Sequence, residues 1–210
     1  MKKGNGIKKG ILGLLAMMVL LSGCAKTEQS PKKEDSFTAD ADTVILTKEN
    51  QLIGYICEEF DEGRYSFENF EKMLNDEVED YNSQMGVGGI EIKECVLADG
   101  IARISLSYAE VEDYEKFNGV QFLCGKTPEE GARQFSLPAN FTLVDAHNPE
   151  QTITLGELNG EQNYRILITD DESNIRIHGG NIRYIGEGDV MMGDGDVKTA
   201  DNVTLHVIIY

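Results

Sequence analysis

The chain has 210 residues, 37 of them acidic and 19 basic, for a formal net charge of −18. Such a charge repels phosphate backbones and anionic headgroups, which argues against nucleic-acid binding and against docking flat on an anionic bilayer. The four cysteines form no CxxC pair and no His/Cys ligand spacing, so a zinc site is not expected.

The first ten residues, MKKGNGIKKG, carry Lys2, Lys3, Lys8 and Lys9 and no acid. Residues 11–21, ILGLLAMMVLL, form an apolar run, and Ser22, Gly23 and Cys24 follow. A basic start, a short apolar run and small residues before a break form the pattern of a secretory signal. The run is too short for a spanning helix, which needs about 20 apolar residues. Leu21-Ser22-Gly23-Cys24 resembles the lipobox of bacterial lipoproteins, whose members are lipidated on the cysteine thiol and cut just before it. The resemblance implies cleavage between Gly23 and Cys24 and a diacylglyceryl thioether on Cys24. The mature chain would then be held to the lipid bilayer on the extracytoplasmic side of the cell membrane. Two acyl chains, at about 0.8 kcal/mol per buried methylene, anchor stably where one would be marginal. Loss of residues 1–23 removes four lysines and no acid, leaving 15 basic against 37 acidic side chains, a charge of −22.

Residues 24–43 are polar and charged, with Phe37 the one apolar side chain of any size, so burial cannot offset their ordering entropy. They read as a flexible tether, about 25 Å in root-mean-square span. Three cysteines remain beyond it, Cys57, Cys95 and Cys124, an odd number that allows at most one disulfide. They are expected to be reduced and mostly buried, as small hydrophobes.

The remaining residues are expected to form an α+β unit over 44–136 and a mostly antiparallel β unit over 137–210. Val44 to Leu46 and Leu52 to Ile56 flank the polar Lys48-Glu49-Asn50, suggesting a hairpin. In 66–85, Phe67, Phe70, Leu74, Val78, Tyr81 and Met85 recur at three- and four-residue steps, one face of a helix packed on a core. Ser66 is its N-cap and Gly86 its stop. The Gly86-Val87-Gly88-Gly89 stretch lacks the lysine and Ser/Thr of a phosphate loop and precedes a strand, so it reads as a connector. Strands at 90–98 and 101–108 join at Asp99-Gly100, with Ile90, Ile92 and Val96 on one side of the first. The order of elements over 43–108, carried by the 66–85 helix and by Ile90 to Leu106 with its Asp99-Gly100 turn, is similar to the GerM-type domains of sporulation and envelope lipoproteins. The chain departs from them by continuing for more than 100 residues.

Val111, Tyr114 and Phe117 predict a short helix ended by Gly119, and Thr127-Pro128-Glu129-Glu130 is a capping-box opening to another. Runs at 141–144, 152–155, 164–169, 174–178, 181–185 and 203–209 are strand-like, and Val203, Leu205, Val207 and Ile209 alternate in the last.

Candidate chemistry is sparse. His147 lies in a turn, His178 before Gly179-Gly180, and His206 on the outward side of the last strand, so all three read as surface residues. There is no GxSxG elbow and no SxxK pair, and no catalytic residue is assigned. The clearest acidic cluster is Asp189, Asp194, Asp196 and Asp201 on a glycine-rich stretch, a pattern that can wrap a calcium ion wanting six to eight oxygens. It fails the EF-hand pattern, because Lys198 takes the fifth position and Leu205 replaces the closing glutamate. Asp-Gly is also common hairpin chemistry. The leading expectation is a non-catalytic binding or interaction module of the cell envelope. The alternatives are an envelope hydrolase using carboxylates, and an accessory subunit of a transporter or sensor whose partner presents a basic face.

Overall fold

The computed structural model describes residues 40–85 and 89–210; Gly23, Cys24, the tether as far as residue 39 and the connector residues 86–88 lie outside them. The chain is α+β, as its patterning predicts. The first elements among the described residues are β1 (Thr43–Leu46) and β2 (Leu52–Glu59), a hairpin whose turn places Asn50 at φ 61°. Helix α1 (Phe67–Met85) follows, and the Ser66 hydroxyl accepts from the Asn69 amide at 3.4 Å, the expected cap. Phe70, Leu74 and Val78 are its buried residues.

Strands β3 (Ile90–Ala98) and β4 (Ile101–Tyr108) pair across Asp99 and Gly100, whose φ of 54° and 74° are what a two-residue primed turn requires. One expectation in this hairpin is overturned. The register slips between Ile92 and Glu94, so the extra residue turns the rest of β3 over. Cys95 and Leu97 take the inward side, and Val96 is left 39% exposed. Helix α2 (Val111–Asn118) ends at Gly119 in the left-handed region (φ 68°), whose amide donates to the Glu115 carbonyl.

β5 (Phe122–Lys126) and α3 (Pro128–Gln134) come next. The α3 capping box is present: Thr127 Oγ1 accepts from the Glu130 amide, and Glu130 Oε2 accepts from the Thr127 amide at 3.1 Å. Then follow β6 (Thr142–Asp145), β7 (Thr152–Thr154), a 3-10 turn at Leu155–Leu158, β8 (Ile166–Thr169), β9 (Asn174–Ile177) and β10 (Tyr184–Gly186). The chain closes with β11 (Val190–Gly193), β12 (Asp196–Lys198) and β13 (His206–Ile209).

The strands form two sheets, ordered β11-β12-β9-β1-β2-β4-β3 and β5-β8-β13-β10-β6-β7. Each sheet takes strands from both sides of residue 137. β1 pairs in parallel with β9, and β5 pairs with β8. Backbone ladders therefore stitch the two stretches of sequence together.

The second sheet is covered on both faces. Leu167 and Ile208 point into a core shared with the first sheet and α1, while Ile166, Ile168, Val207 and Ile209 point into a smaller core with Leu155 and Leu158. All four residues of β8 and all four of β13 are buried. Val203 and Leu205 precede the last strand, and the alternation read there holds for Val207 and Ile209, but Ile208 between them faces the larger core rather than solvent. His206 is therefore fully buried, not outward. Cys57, Cys95 and Cys124 are each half-buried rather than fully enclosed.

Candidate functional site

The inner face of the first sheet carries Val44 and Leu46 of β1, Leu52 and Ile56 of β2, and Ile104 and Leu106 of β4. Gly54 interrupts this face. A Cβ there would first meet Tyr108 and Tyr114, at 3.4–3.6 Å, which is ordinary contact. An isolated glycine inside a strand often marks such a close approach. Here it opens onto a cavity of about 410 Å³ bounded by β2, β4, Phe70 of α1, the end of α2, and Asp171 and Ser173 between β8 and β9. Ligand pockets run from roughly 300 to 1,000 Å³ and pair apolar walls with a few placed polar groups.

Packing fixes the walls. Phe60 stacks edge-on against Phe67 and Phe70, with centroids 5.5 and 5.9 Å apart, and lies 6.3 Å from Tyr65. Tyr108 and Tyr114 meet edge to face at 4.9 Å. Such contacts add to area burial and hold rings in place.

The floor is polar and internally bonded. Asn118 Nδ2 donates to the Tyr108 hydroxyl at 3.1 Å and to the Tyr114 carbonyl at 2.9 Å. The Tyr114 hydroxyl donates to Asp171, whose other carboxylate oxygen accepts from the Ser173 amide at 2.9 Å. Burial pushes both tyrosine hydroxyls well above their ordinary range, so each stays protonated. Asp171 is buried, whereas Asp42 is half-buried and Glu58, Glu59 and Asp61 stand exposed at the rim. Asp42 is held by the Cys57 amide at 2.9 Å, and Asp61 pairs with Arg64 at 3.2 Å. No lysine, arginine or histidine is among the described residues lining the cavity.

A second polar cluster lies elsewhere. His206 Nδ1 is 2.7 Å from Asp189 Oδ1, which also accepts from the Ala200 amide at 3.1 Å; both side chains are wholly buried. Asp189 Oδ2 and His206 Nε2 have no hydrogen-bond partner among the described residues. This pair ties the loop after β10 to β13.

The structure does not gather the carboxylates of the calcium reading. Asp189 is spent on His206, and Asp196 pairs through both oxygens with Arg176. Asp194 is exposed in the turn between β11 and β12, with Gly195 at φ 83°, and Asp201 is exposed in a later turn. Among the described residues, no three His, Cys, Asp or Glu side chains are arranged to hold a metal ion. Gly23 and Cys24 lie outside the described residues. His147 and His178 are exposed, as expected. No helix among the described residues is long and apolar enough to cross a membrane. Burial raises the Cys95 and Cys124 thiols to about 11, which makes them poor nucleophiles at neutral pH.

Sequence reading missed Asp171, Asn118 and the two tyrosines as a group, because they meet only in the fold. Gly54 within the apolar run Leu52 to Ile56 was the available signal. Comparison with protein-family models, with curated proteins and with solved structures returned no match.

Proposed function

We propose that this chain is a membrane-tethered binding module of the cell envelope, non-catalytic, with its ligand site in the cavity above Tyr108 and Tyr114. The observation that carries the reading is an aromatic-walled space whose polar floor is fixed by hydrogen bonds. Among the described lining residues Asp171 is the one buried carboxylate, accepting from Tyr114 and Ser173; Asp42 is half-buried and Glu58, Glu59 and Asp61 are exposed. That arrangement suits recognition better than glycosidase-type hydrolysis, which uses two carboxyl groups flanking the scissile bond. The segment resembling GerM-type envelope domains, 43–108, supplies β2, β4 and α1 to the cavity. The tether and the lipobox-like Leu21-Ser22-Gly23-Cys24 support lipid attachment of the mature chain at Cys24 on the extracytoplasmic side.

Two measurements test it. The neutral apolar dye N-phenyl-1-naphthylamine should brighten on binding the mature chain. The enhancement should fall at least several-fold in Gly54→Leu and Ala102→Leu, whose added side chains fill the space. A dye response unchanged in both folded variants would overturn the site. Labelled palmitate should be incorporated by the intact chain and not by Cys24→Ala, which should leave the membrane fraction.

A further inference from the structure

Resting on the pocket reading above, we infer that the ligand is a small neutral molecule, apolar over most of its surface, that offers a carbonyl-type oxygen to the Tyr108 hydroxyl. The hydrogen bonds around that hydroxyl carry the inference. Asn118 Nδ2 lies 2.9 Å from the Tyr114 carbonyl, which can only accept, so the amide atom there is the nitrogen and not the oxygen. The same nitrogen lies 3.1 Å from the Tyr108 hydroxyl oxygen and donates to it. Tyr108 is thus the acceptor in that bond, and its own proton has no acceptor among the described residues. Tyr114 differs, since its hydroxyl is spent on Asp171. Tyr108 is 2% exposed and lines the cavity, and a Cβ built on Gly54, which lines it too, would lie 3.6 Å from the Tyr108 hydroxyl. The unspent donor therefore stands where β2 lacks a side chain. Buried donors are almost always matched, and an unmatched one is costly, so an acceptor atom on a ligand there completes the set. Around it the walls are apolar, from Val44, Ile56 and Phe70 to Ala102, Ile104 and Val120. Such walls favour apolar area and penalise a charge, and no lysine, arginine or histidine among the described lining residues would pair with an anion. A space of about 410 Å³, at the small end of ligand pockets, takes a single ring with a short chain.

The test pairs 4-phenylbutan-2-one with 2-methyl-4-phenylbut-1-ene, which has the same shape but a methylene in place of the carbonyl oxygen. Each is used to displace N-phenyl-1-naphthylamine from the mature chain and from Tyr108→Phe, which removes only the hydroxyl. The substitution should weaken the ketone about fivefold or more and leave the alkene within about twofold. A merely structural role for the hydroxyl would weaken both alike. That result, or no change in either, overturns the acceptor class and leaves the pocket reading standing. 3-Phenylpropionate should displace the dye about tenfold or more less well than the ketone, and equal displacement overturns the neutral class. The carbonyl stretch of the bound ketone gives a reading that needs no variant. Infrared difference spectra should show it lowered from its position in hexane, and an unshifted band overturns the inference. If the dye brightens but the ketone does not displace it, this inference fails alone; if the dye does not brighten, the pocket reading fails with it.

Discussion

At the scale of single residues, two buried groups dominate the energetics outside the pocket. His206 and Asp189 are fully enclosed, and each keeps one polar atom without a hydrogen-bond partner among the described residues. Removing one member of such a pair leaves the other's polar atoms buried without a partner. His206→Leu is therefore expected to cost about 1–3 kcal/mol, read from urea unfolding, and a second change, Asp189→Leu, should restore part of it by removing the stranded acceptor. A loss below about 1 kcal/mol would show that the pair carries little.

Glu77 is a milder case. It sits beside the buried stripe of α1, with Oε2 enclosed and unpartnered among the described residues, and burial raises its pKa above the usual carboxyl range. A raised carboxyl pKa favours the folded state below the unfolded pKa, and that contribution is lost as pH rises through the folded value. Glu77→Gln should thus raise the melting temperature at pH 7 by roughly 1–2 °C and give no gain below about pH 4. Melting curves at the two pH values decide it.

At the scale of elements, glycines set how closely helices and strands approach. A Cβ on Gly131 of α3 would lie 2.4 Å from Cγ2 of Ile166, a wholly buried β-branched residue with little freedom to move. Alanine would gain roughly 1 kcal/mol of helix propensity. Overpacking costs about 1–3 kcal/mol, so Gly131→Ala should be net destabilising, with a lower urea midpoint. Gly54 is the contrast. A methyl there makes ordinary contacts with the two tyrosines, so Gly54→Ala should fold normally and shorten the cavity. The one serves packing and the other serves space.

At the scale of the whole molecule, the interleaving of strands governs cooperativity. β9 and β12 lie in the sheet that begins with β1, and β5 lies in the sheet completed by β13. Opening either half of the sequence breaks ladders in both sheets. Urea unfolding followed by far-ultraviolet circular dichroism and by tyrosine fluorescence should therefore give coincident single transitions. Two separated transitions would show that the sheets unfold independently. The acidic surface acts at the same scale. Its net charge of −18 repels other anionic surfaces.

Local chemistry made much of the architecture legible in advance. The three- and four-residue apolar steps of 67–85, the Asp99-Gly100 turn, the Gly119 stop and the Thr127–Glu130 capping box each depend on neighbours in sequence, and each formed where its residues stand. The short strands β5, β11 and β12 escaped notice, since their ladders are closed by residues distant in the chain. The slip in β3 could not be foreseen either, because an alternating pattern does not announce an extra residue. His206 shows the same limit most sharply. A period of two separates the faces of a strand, but only packing on both sides of the second sheet decides that each face is buried. The cavity is likewise tertiary: Gly54, Tyr108, Tyr114 and Asp171 are far apart in sequence and become a site only when β2, β4, α2 and the end of β8 converge. The sequence by itself determined the local elements, the acidity and the lipobox-like start, because those follow from adjacent residues and composition. The burial of His206 and the existence of a pocket were left to long-range packing, which no local pattern encodes.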